Sequence, residues 1–145
     1  MNNLPEVFAG LSAYHAKFDM AASGAMTLIS TQLLRNAHEN ASEVSNPPER
    51  RTSRNGKSYL KYFPHQGGLG PNRGTGNLVN SMFASTQKGF GVYTAEVGVG
   101  MVYSRSLEFG RNGVKYPFMQ PALNKLVDSG QLSQIINYSF SSLRG

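Results

Sequence analysis

The sequence predicts an α+β protein: a long N-terminal helix and a C-terminal helix packed on a small antiparallel β-sheet, with a long basic projecting arm or hairpin. Three observations predict it. Apolar residues recur at helical spacing over the first forty residues, they alternate between Phe83 and Met101, and the basic, Gly- and Pro-containing stretch between fits neither period. With 145 residues, 39% of them apolar, the chain has material for one domain, residues 1–145, with a single modest core.

The N-terminal helix is expected from about Pro5 to Asn40. Val7, Phe8, Leu11, Tyr14, Phe18, Ala22, Ala25, Met26, Ile29 and Leu33 are spaced mostly by three and four, so they share a helical face. Pro5 sits where a first-turn proline is tolerated, since its missing N–H had no partner. Gly10 and Gly24 each cost roughly 1 kcal/mol against Ala. At 1.5 Å per residue the helix spans roughly 50 Å, long for this chain. The small residues Ala21 to Ala25 fit either ordinary packing on a sheet or the close approach of another backbone.

The pattern stops at Asn40, and residues of about 45–75 form the expected arm. Asn55-Gly56 is a two-residue turn signal, and Lys57 to Phe63 reads as a strand. Gly67 to Gly76 is flexible by composition. A connection this long is functional or disordered more often than an ordinary loop. As a hairpin with about a dozen residues each way it would reach roughly 40 Å. Thr75 is placed to cap a short helix over Gly76 to Met82. The following segment alternates, with Phe90, Val92, Thr94 and Glu96 on one side and Tyr93, Ala95, Val97 and Val99 on the other. Gly89 and Gly91 lie near its turn. Tyr103 to Phe109 is a short helical turn stopped by Gly110 in the left-handed conformation. A loop over 111 to 117 follows, then a terminal helix that opens at Pro121 and is interrupted by Gly130.

Charge sharpens the picture. Fourteen Lys and Arg against eight Asp and Glu give +6, yet only 15% of residues are charged, against about 25% in an average domain. The chain is basic because it is poor in acid. From Arg50 to Lys88 there are seven basic residues and no acid, leaving seven basic and eight acidic residues elsewhere. The excess therefore belongs to the arm and its flank. With no Cys, disulfides, zinc–thiolate sites and Cys nucleophiles are excluded. No stretch approaches the roughly 20 apolar residues of a membrane span, and the N-terminus lacks a signal-peptide pattern, so no membrane partner is expected.

Catalytic signals are lacking. Gly67-Gly68-Leu69-Gly70 and Gly74-Thr75-Gly76 match neither a phosphate-binding P-loop nor a dinucleotide fingerprint. His15, His38 and His65 share no metal-ligand spacing, the acids are scattered, and no serine sits in a nucleophile elbow. No enzyme activity, cofactor or metal is expected. The arm is the strongest feature: Arg50, Arg51, Arg54, Lys57, Lys61 and Arg73 interleave with Tyr59, Tyr62 and Phe63. This combination suits phosphate contacts with base stacking, docking on an acidic protein surface with aromatic and Arg anchors, or a solvated basic loop.

Three blocks in the second half carry a family resemblance. They are Thr75-Gly76-Asn77-Leu78-Val79-Asn80-Ser81, Tyr103-Ser104-Arg105-Ser106-Leu107-Glu108-Phe109-Gly110, and Pro117-Phe118-Met119-Gln120-Pro121-Ala122. Their order resembles the tail-component or neck protein family of long-tailed double-stranded DNA bacteriophages, with its Thr-Gly-x-Leu-x-x-Ser, Tyr-Ala-x-x-x-Glu-x-Gly and Pro-Phe-x-x-Pro-Ala blocks. Ser104 replaces the usual Ala, and the family's proline-rich stretch survives only as Gly70-Pro71. The N-terminal half matches only in style.

The resemblance implies a non-enzymatic virion protein at the head–tail junction, made in the bacterial host cytoplasm and acting in neck assembly, tail completion or tail termination. Its implied partners are further copies in a ring, a hexamer by preference, and neighbouring neck, connector and tail-tube proteins, with DNA passing through the ring. Thr75, Gly76, Leu78, Ser81, Tyr103, Glu108, Phe109, Gly110, Pro117, Phe118, Pro121 and Ala122 are its structural positions. Glu108 is expected either to accept a charge-assisted bond from an Arg of its own or a neighbouring subunit, to cap within its own chain, or to stay solvated. The arm is the expected contact between subunits or rings, and a basic nucleic-acid-binding module is the competing reading.

Overall fold

A computed structural model describes residues 3–42, 49–61, 76–110 and 115–144. The architecture is α+β. Helix α1 covers Leu4–Ser42, followed by strands β1 (Glu49–Thr52) and β2 (Ser58–Lys61), helix α2 (Asn77–Asn80), strands β3 (Met82–Lys88) and β4 (Tyr93–Val99), and helices α3 (Ser104–Phe109), α4 (Met119–Asp128) and α5 (Gln131–Ser139). A 3₁₀ turn over Ser141–Leu143 closes the chain.

Helix α1 is the axis of the core: α4, β3, β4, α5 and α2 all lie against it. It runs two residues beyond the expected span at its C-terminal end and about one at the other, and its 39 residues make a rod of about 58 Å. The core sits at its C-terminal half, where Ala37 and Ala41 meet Leu78 of α2, Met82 of β3, and Phe118 and Ala122 at the start of α4. Ala21, Ala22 and Ala25 are also buried, so ordinary packing within the subunit accounts for the small residues at the helix middle.

As expected of a small sheet and a separate arm, the strands among the described residues form two antiparallel hairpins, β1–β2 and β3–β4. The second has the expected alternation. Met82, Ala84, Thr86 and Lys88 pair with Val99, Val97, Ala95 and Tyr93, and this face turns to α1, since Lys88 and Tyr93 both reach Asp19 there. On the other face the Phe83 ring lies over Gly98, where a Cβ would fall 2.3 Å from the ring. The first hairpin cannot join this sheet on α1, because all eight of its strand residues are exposed and neither face is apolar.

Three local expectations are corrected. Helix α2 is a single turn with Gly76 at its N-cap and no side-chain cap, and Met82 opens β3 instead of ending the helix; the proposed cap, Thr75, lies outside the described residues. Gly110 ends α3 at φ 93°, ψ 156°, a positive φ but an extended ψ in place of the left-handed helical one. The terminal helix is interrupted at Gly130 as expected, and the break, with φ +81°, divides it into α4 and α5. Its first part opens at Met119, ahead of Pro121, for a reason given by Glu108.

Candidate functional site

The described part of the expected arm, residues 49–61, is a compact hairpin. Its register pairs Glu49 with Lys61, Arg50 with Leu60, Arg51 with Tyr59 and Thr52 with Ser58. The expected two-residue turn is a three-residue one: Ser53 N–H donates to the Lys57 carbonyl at 2.8 Å and Gly56 N–H to the Ser53 carbonyl at 2.9 Å. Arg54 and Asn55 form its bend and Gly56, at φ +74°, is the left-handed residue that lets the chain rejoin the ladder. Each strand has four residues, so the described ladder is about 13 Å long, against the dozen residues each way that were expected. Tyr62, Phe63 and Arg73 lie outside the described residues.

Alternation sorts the arm's side chains. Glu49, Arg51, Tyr59 and Lys61 share one face, and Arg50, Thr52, Ser58 and Leu60 the other. On the first, Arg51 donates to Glu49 from Nε and Nη2 at 3.2 and 3.0 Å. On the second, Arg50 Nη1 reaches Ser58 Oγ at 3.3 Å. Tyr59 and Leu60 are exposed. Arg54 and Lys57 stand at the exposed turn. Residues 49–61 thus hold five Lys and Arg against one Glu, and Glu49 partly offsets the basic face that Arg51 and Lys61 would otherwise form.

The positions implied by the family resemblance gather elsewhere, around the start of α4. Glu108, at the end of α3, accepts from the backbone N–H of Phe118 and Met119 at 2.9 Å each and from Gln120 at 2.7 Å. A helix start exposes four N–H groups that have no partner within the helix. Here three are bound by one carboxylate, and the fourth position is Pro121, which has none. The negative charge also faces the positive end of the helix dipole. Among the alternatives for Glu108, the described contacts are those of an intramolecular cap.

That cap seats the helix in the core. Phe118 is 1% exposed and Ala122 fully buried, with Pro117 and Pro121 half-buried beside them. Two asparagines of α1 hold the same place by polar contact. Asn40 Nδ2 donates to the Phe118 carbonyl at 3.0 Å. Buried Asn36 donates to the Ala122 carbonyl at 3.3 Å and to Gln131 Oε1 at 2.9 Å, and accepts from Gln32 at 3.1 Å. Gly76 and Leu78 are buried, and Ser81 Oγ closes α2 on the Leu78 carbonyl at 2.8 Å. Tyr103 and Phe109, in contrast, are exposed.

Sequence reasoning missed Asn36 and Asn40 as anchoring residues. Their signal was positional: Leu33, Asn36 and Asn40 are spaced by three and four on the buried face of α1. A third link is ionic. Lys125 of α4 reaches Glu39 at 2.8 Å, and this bond, followed by that of Arg35, holds the Glu39 carboxyl below its ordinary pKa.

Among the described residues no group of three His, Asp or Glu side chains is arranged to hold a metal ion, and no helix is long and apolar enough to cross a membrane. Fold and surface together define an α+β protein with a tightly anchored C-terminal core and an outlying basic hairpin. Comparison with protein-family models, with curated proteins and with solved structures finds no match to the chain.

Proposed function

We propose that this chain is a structural protein of the phage neck, a ring-forming head–tail joining or tail-completion component with no enzymatic role, whose β1–β2 hairpin docks on a neighbouring protein. The three sequence blocks support the family reading, and their residues have coherent structural jobs: Leu78, Phe118 and Ala122 fill the core, and Glu108 fixes α4 against α3. The observation that carries the docking role is the hairpin itself. An isolated two-stranded hairpin is at best marginally stable in water, yet this one exposes every strand residue, so its natural state is against a partner. Exposed Tyr59 and Leu60 beside Arg50 and Arg51 are the anchors of a protein interface.

Deleting residues 48–70 is expected to leave a folded core with unchanged helical content and to abolish the joining of heads to tails. Infectious tailed particles assembled from the deleted chain would contradict the proposal. A nucleic-acid-binding module is the second reading, favoured by the five basic residues of the hairpin. It requires the isolated chain to bind DNA with an affinity that falls steeply with salt. The ion pair of Glu49 with Arg51 weighs against it, because a carboxylate on that face repels phosphate.

A further inference from the structure

We infer that the first four turns of α1 are one half of a contact between copies of this chain, on a surface separate from the basic hairpin. Leu4, Val7, Leu11, Tyr14 and Phe18 follow in steps of three, four, three and four, which keeps them on one helical face, and Phe8 borders them. All six are between 40 and 63% exposed. The same face continues through Ala22, Ala25 and Asn36, which are buried by the chain's own elements. The core seam therefore runs off the end of the subunit. The Phe18 ring lies 5.4 Å from Phe140, and N-terminal to it the side chains of the apolar stripe are more than half exposed.

Area and charge identify the occupant. At about 150–200 Å² for each large apolar side chain, and with a little over half of each exposed, the six offer roughly 600 Å². Matched by a similar area on a second copy, this gives about 1,200 Å², the lower bound of a specific protein interface. Between Glu6 and Lys17 the helix has no charged residue, and Asp19 is held by Lys88 at 2.6 Å. The stripe thus carries none of the +6 excess, so two copies meet there without like-charge repulsion. The cations that a lipid surface or a nucleic acid would require are missing from it. The assignment rests on the ring reading for the expectation of self-association; the surface is its own claim.

The test uses the full chain. Sedimentation of the purified protein at tens of micromolar is expected to show an oligomer. The Phe8→Ser, Leu11→Ser double variant is expected to sediment as a monomer, at least tenfold weaker in self-association, with an unchanged helical circular dichroism spectrum. A photo-crosslinking benzoylphenylalanine replacing Tyr14, in a mixture of isotopically light and heavy copies, is expected to yield mixed-isotope crosslinked peptides. This second measurement decides the matter even where the double variant fails to fold. A monomeric wild-type chain, an oligomer that survives the double substitution, or crosslinks that join only peptides of one isotope would overturn the inference. Failure of head–tail joining by a chain that still self-associates through α1 bears on the neck reading alone.

Discussion

The two hairpins are built by the same local rules and belong to different parts of the molecule. Each is antiparallel, and each turns through a glycine of positive φ, Gly56 at +74° and Gly91 at +69°. They differ in what alternates along the strands. In β3–β4 one face is Met82, Ala84, Val97 and Val99, which lies on α1 and reaches the core through Met82. In β1–β2 neither face offers more than Leu60 or Tyr59 among charged and hydroxyl side chains. Turn chemistry specifies that a hairpin forms; the strand faces specify whether the core receives it. One hairpin is scaffold, and the strands of the other are exposed along their whole length.

The largest test of this contrast is a pair of truncations. Met82→Ala opens a cavity in the core and is expected to cost about 2–5 kcal/mol, read as a lower urea midpoint. Leu60→Ala, on the outlying hairpin, is expected to stay within about 0.5 kcal/mol. Equal losses would show that both hairpins unfold with the core.

A subtler pair compares the turns. An added Cβ meets no atom within 4 Å at either Gly56 or Gly91, so Ala at either position is penalised by backbone conformation alone, about 1–2 kcal/mol. Gly91→Ala is expected to lower global stability by that amount. Gly56→Ala is expected to leave the global transition in place and raise amide exchange only within residues 49–61.

The smallest expected effect is that of pH. Hydrogen bonds from Lys88 and Tyr93 hold the Asp19 carboxyl below its ordinary 3.8, and the same carboxylate pushes the Tyr93 phenol above 10.0. A lowered acid contributes stability above its unfolded value and loses it as pH falls through the folded one; a raised phenol contributes below its unfolded value and loses it on the alkaline side. The tie between α1 and β3–β4 is therefore expected to loosen below pH about 4 and again in alkali. NMR titration of the Tyr93 ring should show both steps, and Asp19→Asn should remove the acid one.

Much of the fold was legible. The spacing of apolar residues placed α1 to within about two residues at either end, and alternation put Tyr93, Ala95, Val97 and Val99 on one face, although which face meets α1 was not read from it. Asn55-Gly56 marked the turn of the arm, although the three-residue loop that Arg54 joins was not visible from the dipeptide. What escaped was non-local. The start of α4 lies two residues before Pro121 because a carboxylate ten residues upstream caps it, and no rule that reads adjacent residues finds such a cap. The separation of the arm from the small sheet was legible, because the arm's strand residues carry no apolar face for α1 to accept. The asparagines that fix α4 were hidden because a polar residue on an apolar helical face reads as a gap in the pattern, when here it is a bond to a neighbouring carbonyl.

The tie between Glu108 and the head of α4 has a consequence for the chain between them. Tyr116 N–H donates to the Leu107 carbonyl at 2.8 Å, so the connection from α3 to α4 is clamped at its base by a backbone bond and a carboxylate together. Its two ends are fixed by each other, whatever length of chain joins them. Closing a loop one or two residues longer costs little, because closure entropy grows only with the logarithm of length. The described ends of this connection hold α3 and α4 to each other through contacts of their own, so that the seat of each helix is fixed by the other.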